Sequence, residues 1–131
     1  MKTKAFLNNQ VQKKMQRDAL YFGPQYLPPM GYANGYVAVP PEHPLYGKGY
    51  DDVDIDAWGG LTLAAVRSDC KWDAEHIEMI DGGSFADIPQ DWWVFGFDTM
   101  HFDDGPEHNR EWCICETKHL QQQLETLRKE D

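Results

Sequence analysis

The chain has 131 residues, of which 41% are hydrophobic and 13% aromatic, and its formal net charge at pH 7 is −10. This composition indicates a single folded domain, residues 1–131, and excludes an intrinsically disordered chain. No run of about 18 apolar residues occurs, so we expect no transmembrane helix and no membrane partner. An acidic surface repels phosphate backbones, which disfavours DNA and RNA as partners.

The charges are divided unevenly along the chain. The first 17 residues contain five bases and no acid, whereas the rest of the chain has a net charge of −15. Solubility is the simplest role for so many acids. The three cysteines, Cys70, Cys113 and Cys115, form no disulfide framework, and the opening MKTKAFLNNQ lacks the apolar core of a signal peptide. Both observations predict a cytoplasmic protein.

The N-terminal segment, residues 1–22, is predicted to be a helix. An apolar residue recurs every four positions, as on one face of a helix: Leu7, Val11, Met15 and Ala19. Gly23-Pro24 follows and should end this helix. The next residues are rich in proline, glycine and aromatic side chains, which predicts a loop that packs on the body of the domain.

Residues 35–104 are predicted to form a sheet and its loops. Three segments indicate strands: 36–39, 53–57 with its alternating apolar and acidic residues, and 61–66. Residues 67–91 combine mixed charge with Gly82-Gly83 and Pro89, which is typical of an insertion, with one helical turn near residues 74–79. The most apolar run, residues 92–97, predicts a buried central strand.

Residues 107–130 are predicted to form a C-terminal helix. Its apolar stripe recurs at alternating spacings of four and three residues: Cys113, Thr117, Leu120, Leu124 and Leu127. The order of elements therefore predicts an α+β fold, with a small and mainly antiparallel sheet between an N-terminal helix and a C-terminal amphipathic helix.

The turn after the buried strand collects polar side chains: Asp98, His101, Asp103 and Asp104. Polar and titratable residues at the end of a buried strand are typical of a binding or catalytic site. These residues could bind a divalent cation, or provide a base with its orienting carboxylate. The alternative is structural: Asp104 would cap the C-terminal helix and His101 would satisfy a hydrogen bond in the core.

A second candidate is the loop at residues 42–52. His43, Tyr46 and Lys48 lie there among flexible glycines, a combination that can close over a small ligand. The tyrosine could equally pack inward from a surface loop. If the strands around this loop neighbour the central strand, His43 and His101 should converge on one pocket.

Other motifs are weaker. Gly60 and Thr62 lie in a GGLT segment that opens a strand, so a plain turn is the simpler interpretation than ligand contact through backbone amides. Cys113 and Cys115 point about 200° apart on a helix and cannot share one zinc ion. The sequence therefore assigns no metal ligand, identifies no cofactor and leaves open whether the protein is an enzyme.

Three ordered motifs resemble those of a small bacteriophage protein family: GYVAVPPEHPLYGKGYDDVDIDAWGGLT at residues 35–62, WWVFGFDTMHFDD at residues 92–104, and a closing helix. The family pattern has a histidine where this chain has Trp58, so a role for that histidine is not carried over. The resemblance implies a phage origin and action in the cytoplasm of an infected bacterium. It implies no particular activity.

Three hypotheses follow for the function. The first is a binding protein that sequesters a small, nucleotide-derived immune signal of the host, with ligand contacts from His43, Tyr46, Lys48, Gly60, Thr62, Asp98, His101 and Asp104. The second is a small metal-assisted hydrolase of such a ligand, with Asp98, His101 and Asp104 at its centre. The third is an acidic decoy that occupies a basic surface of a host defence protein. Assembly into a homo-oligomer is a further option for this chain.

Overall fold

The structure, a computed structural model, describes residues 2–127, which contain five strands and two α-helices. The strands are β1 (Lys4–Asn8), β2 (Asn34–Val39), β3 (Leu63–Val66), β4 (Ile77–Met79) and β5 (Trp93–Phe97), and the helices are α1 (Gln10–Phe22) and α2 (Arg110–Thr126). Every strand pair is antiparallel, so the predicted α+β class is confirmed. Among these residues, no helix is long and apolar enough to cross a membrane.

The sheet has the order β3-β5-β2-β1-β4. β5 is an interior strand, as predicted, and β2 occupies the middle position with every residue buried. In the β2–β5 pair, Val39 lies opposite Trp93 and Gly35 lies opposite Phe97. The loop that follows β2 and the turn that follows β5 therefore leave from opposite ends of the sheet.

Both faces of the sheet are covered. α2 packs on one face, where Leu120 and Leu124 are fully buried against Val37 and Phe95. The predicted apolar stripe of this helix thus forms core, except that Leu127 is only half-buried at the C-cap. On the other face, residues of the 67–92 segment pack on Phe6, Tyr36 and Val94.

The predicted helix over residues 1–22 is wrong in its first third, because β1 occupies Lys4–Asn8. Leu7, which was counted in the helical stripe, is a strand residue with 1% of its surface exposed. β1 lies between β2 and β4 and is covered on both faces, so its apolar residues run together and show no alternation. The helix that follows buries Gln12 and Ala19, whereas Val11 is 43% exposed.

Two further predictions need correction. Residues 53–57 form no strand: Val53, Ile55 and Ala57 rest half-buried on the core as parts of a loop, and both edges of β5 are already taken by β2 and β3. A loop that packs one of its sides on the core also shows alternating apolar and acidic residues. The segment 67–91 is more than an insertion, since β4 within it pairs with β1, which also lies outside the predicted sheet range of 35–104.

The last turn of α1 projects apolar side chains into solvent. Leu20, Tyr21 and Phe22 are 87%, 83% and 70% exposed. A shallow depression of about 280 Å³ lies beside them, with Met15 and Ala19 in its wall. Self-association stays a prediction. The exposed side chains of Leu20, Tyr21 and Phe22 form the surface at which we expect it.

Candidate functional site

The turn after β5 is closed by its own carboxylates. Asp98 Oδ1 accepts a hydrogen bond from the backbone N–H of Met100 at 3.2 Å, and Asp104 Oδ2 accepts one from the backbone N–H of His101 at 2.8 Å. The N–H of Asp104 in turn donates to the carbonyl of His101 at 3.0 Å. These bonds fix the direction of the side chains between residues 98 and 104.

Asp104 is the centre of a buried network. Its Oδ1 accepts from the indole N–H of Trp58 at 2.9 Å and from Nδ1 of His108 at 2.7 Å, and its carboxylate has no exposed surface. The imidazole of His108 stacks on the ring of Trp112 with centroids 4.0 Å apart, and the Trp58 ring meets both edge-on. One carboxylate therefore ties the loop before β3 to the start of α2.

The structural alternative for Asp104 as a helix cap is wrong in its detail. Asn109 is the N-cap of α2, and its side chain accepts from the N–H of Trp112 at 3.0 Å. Asp104 instead accepts hydrogen bonds from three N–H groups. A charged carboxylate forms stronger hydrogen bonds with such donors than a neutral acceptor does.

His101 lies at the surface edge of this network and is one-third exposed. Its Nε2 is 3.4 Å from Asp98 Oδ1, and its Nδ1 is 3.3 Å from Asp104 Oδ2. The second approach is poorly directed, so Nδ1 is a buried atom without a hydrogen-bond partner among the described residues. The imidazole is thus held between two carboxylates and keeps unused hydrogen-bonding capacity.

Gly59 makes room for the His101 ring. It has φ = +67°, and a Cβ added to it would lie 2.5 Å from Cε1 of His101. Gly60 also has positive φ, at +86°, but faces open space. The GGLT turn is therefore shaped around the histidine, and Thr62, whose N–H donates to the carbonyl of Gly96 at 2.8 Å, leads the chain into β3.

A groove of about 360 Å³ adjoins the network through His108. Its walls come from α1, the loop before β2 and the turn before α2: Gln16, Leu27, Met30, Gly31, Tyr32, Gly105, Pro106, His108 and Asn109. The N–H groups of Gly31 and Tyr32 donate to the carbonyls of Thr99 and His108 at 2.7 and 2.8 Å. These bonds hold the two walls of the groove together.

The predicted loop site at residues 42–52 lies elsewhere. His43 is 3% exposed, its Nε2 donates to the carbonyl of Leu124 at 2.7 Å, and its Nδ1 accepts from the N–H of Leu45 at 3.0 Å. Burial lowers the pKa of this imidazole below its ordinary value. With both nitrogen atoms occupied inside the protein, His43 connects the loop to the end of α2.

Tyr46 and Lys48 lie in the same loop and face the beginning of β5. The hydroxyl of Tyr46 donates to the carbonyl of Asp91, and the indole N–H of Trp93 donates to the carbonyl of Lys48 at 3.0 Å. The Tyr46 and Trp93 rings pack with centroids 5.8 Å apart. This loop is therefore docked on the sheet.

The prediction that His43 and His101 converge is wrong. His43 contacts the last turn of α2, whereas Asp104, which binds His101, contacts His108 just before the first turn. A 17-residue helix is about 25 Å long, and it separates the two positions. The eight predicted residues divide into Gly60, Thr62, Asp98, His101 and Asp104 at one end of the sheet and His43, Tyr46 and Lys48 at the other.

Sequence reasoning missed three members of the network: Trp58, His108 and Trp112. A signal existed for His108, which follows Asp104 by four residues. The indole N–H of Trp58 supplies a donor to Asp104.

Metal binding has one geometric candidate within residues 2–127. Ligand atoms of Asp73, Glu75 and His76 lie within 4.8 Å of one another on an exposed turn, away from the Asp104 network. Cys113 is buried while Cys115 is exposed, so the two thiols face different sides of α2, as the helical spacing predicted.

No protein-family model matches the sequence, and no curated protein and no solved structure shows significant similarity to the chain. The resemblance to a bacteriophage family stays a prediction.

Proposed function

We propose that this protein binds and sequesters a small ligand in the groove between residues 27–32 and residues 105–109. The groove combines a concave apolar surface with the polar network of Asp104 at one place, and this observation supports the proposal most directly. The groove volume of about 360 Å³ lies in the usual range for small-molecule sites, about 300–1,000 Å³. The two walls are tied to each other by backbone hydrogen bonds, which favours a preformed site.

The lining suggests the chemistry of the ligand. Leu27, Met30, Tyr32 and Pro106 offer apolar contact to a flat ring, while Gln16, His108 and Asn109 offer polar atoms. His108 and Asn109 directly precede α2, where the helix dipole places partial positive charge. A ring system with an anionic substituent fits this arrangement, despite the net charge of −10 for the whole chain.

The narrower form of the proposal is that the ligand is a nucleotide-derived immune signal, bound by a phage-encoded protein in the cytoplasm of an infected bacterium. A nucleotide combines a flat base with phosphate, as the lining favours. The phage context depends on the motifs at residues 35–62 and 92–104 alone. No cofactor is part of the proposal.

The test is a ligand screen with a charged variant of the groove. Purified protein is incubated with candidate nucleotides, separated from free ligand and denatured, and the released small molecules are identified by mass spectrometry. Leu27→Glu places a negative charge in the groove and should reduce retention of an anionic ligand at least about tenfold. Tyr50→Glu makes the same change at a side chain of similar exposure, 47% against 42%, outside the groove.

The two variants separate the outcomes. Recovery of an intact ligand from the wild type and from Tyr50→Glu, but not from Leu27→Glu, supports the groove. Equal retention by both variants would place the ligand elsewhere and refute the groove as its site. If Tyr50→Glu alone loses the ligand, the loop at residues 42–52 binds it.

Hydrolysis of the ligand is a second candidate, which the geometry of His101 favours. A one-third exposed imidazole between the carboxylates of Asp98 and Asp104 is suited to acid–base chemistry. Both oxygen atoms of Asp104 already accept N–H donors, so this form of the candidate is better supported than a metal-assisted one. In the same screen, conversion of the ligand by the wild type and not by His101→Gln would identify an enzyme.

The acidic decoy has support of its own. Four acids of one loop, Asp51, Asp52, Asp54 and Asp56, are all exposed beside half-buried apolar neighbours. Retention of no small molecule, together with capture of a basic protein surface, would favour this function over the groove.

A further inference from the structure

Arg67 is a buried arginine with an aromatic platform. It directly follows β3, only 8% of its surface is exposed, and its guanidinium carbon lies 3.7 Å from the centroid of the Phe85 ring. The Phe85 ring belongs to an aromatic cluster with Phe6 and Trp72 on the face of the sheet opposite α2. Packing of this kind fixes the plane of the guanidinium.

No anion within residues 2–127 balances this charge. No carboxylate there forms an ion pair with Arg67, and Nε is fully buried without a hydrogen-bond partner. Cys70 lies close enough to influence the charge of Arg67, but burial raises the pKa of that thiol to about 11, so it is neutral at pH 7. The Phe85 ring face is a favourable contact for the positive charge.

An unpaired buried guanidinium is unfavourable for folding. Burial lowers the pKa of Arg67, yet an arginine in a protein stays protonated, so the charge cannot be removed by titration. The sequence contains 22 acidic residues, so a carboxylate beside Arg67 would not have been a rare arrangement. Arg110, which is exposed, does have such a partner in Glu78.

The backbone around Arg67 is held firmly. Its N–H donates to the carbonyl of Trp92 at 2.7 Å, and the next N–H, of Ser68, donates to the carbonyl of Gln90 at 3.0 Å. The Nη groups make no hydrogen bond to residues 2–127 and, unlike Nε, are not fully buried. The guanidinium is therefore held in place, and its Nη groups are partly accessible to solvent.

We propose that Arg67 is a binding site for a small oxyanion, the phosphate or carboxylate group of a ligand, with Phe85 holding the guanidinium in place. Arginine binds such groups through two parallel N–H···O bonds, and aromatic stacking orients it for this contact. Val66 pairs with Trp93, so Arg67 lies at the end of the sheet opposite the groove and His101. The two sites are separate and can be tested independently.

The experiment titrates the whole protein with sodium phosphate and with sodium acetate, each against sodium chloride at equal ionic strength. Binding is followed by the melting temperature and by the Nε–Hε signal of arginine in NMR spectra. Arg67→Met removes the charge and keeps an apolar side chain on Phe85. Arg17→Met is the control, because Arg17 is exposed and the change in net charge is the same.

We expect a saturable response of the wild type and of Arg17→Met to at least one of the two anions, and an affinity at least about tenfold weaker in Arg67→Met. Without ligand, Arg67→Met should melt at or above the wild-type temperature, since an uncompensated charge has been removed. The phosphate and acetate arms then show which oxyanion is preferred.

Three results would overturn the proposal: no response beyond that to chloride, an unchanged response of Arg67→Met, or a lower melting temperature of Arg67→Met without any ligand effect. If Arg67→Met does not fold, the NMR titration of the wild type decides alone, because the Nε–Hε signal of Arg67 must then shift with the anion.

Discussion

Replacement of Asp104 by asparagine tests the buried network most directly. The carboxylate accepts from Trp58 and His108 on one oxygen atom and from the backbone N–H of His101 on the other. An asparagine side chain has the same shape but only one acceptor atom. In either orientation of the amide, its NH₂ group faces at least one of these N–H donors.

The expected loss of stability in Asp104→Asn follows from the number of hydrogen bonds that the carboxylate accepts. One buried donor left unsatisfied costs about 1–3 kcal/mol, and each of the two remaining bonds weakens when a charged acceptor becomes neutral. Loss of the negative charge recovers part of this, because the charge no longer has to be desolvated. We expect Asp104→Asn to lower the free energy of unfolding by about 2–4 kcal/mol. This is a large fraction of the usual 5–15 kcal/mol for one domain.

Urea denaturation at pH 7, followed by far-UV circular dichroism, measures this quantity. Asp103→Asn is the matched control, since Asp103 is exposed and adjacent, and its effect should stay within about 0.5 kcal/mol. Equal stability of the two variants would refute the reasoning. It would mean that the hydrogen bonds of Asp104 contribute little to folding.

Leu124→Ala should lower the free energy of unfolding by about 2–4 kcal/mol, because the side chain of this leucine is fully buried between α2 and the sheet. An unchanged denaturation curve would show that the helix contributes no core. Stability should fall as the pH drops below 6.5, because His43 takes up a proton in the unfolded chain, whereas its lowered pKa disfavours protonation in the folded chain. The measurement is the free energy of unfolding against pH for the wild type and for His43→Gln. Coinciding profiles of the two proteins would contradict this prediction. Gly59→Ala should be more destabilising than Gly60→Ala and should shift the NMR signals of His101, because both alanines are strained at positive φ but only the first contacts the imidazole; equal effects would mean that the ring moves away freely.

The elements with a clear period or an uninterrupted apolar run could be predicted from the sequence. β5 has five apolar or small residues in succession, and α2 repeats buried residues at alternating spacings of four and three. β1 could not be recognised, since Leu7 happens to continue the spacing of Val11, Met15 and Ala19 into the strand. The short β4 has only three residues and owes its structure to pairing with β1.

Half of the candidate site was predictable for a related reason. Asp98, His101 and Asp104 lie within seven residues of one another, so a single turn brings them together whatever the topology. The place of His43 depended on strand order and direction, which local patterns do not encode. Trp58 meets Asp104 across 46 positions of the chain, and only the folded sheet brings that contact about.

The order of strands also has a consequence for synthesis of the chain. β2 lies in the middle of the sheet, but its partner β5 and the helix that covers both are translated after the other strands. Such a fold has a high contact order, because most strand pairings join distant segments of the chain. A nascent chain that ends before residue 93 exposes Val37 and Val39 without the strand and helix that bury them. We therefore expect this domain to complete its folding only after residues 93–126 have been synthesised, with a recombinant yield that depends on temperature and chaperones.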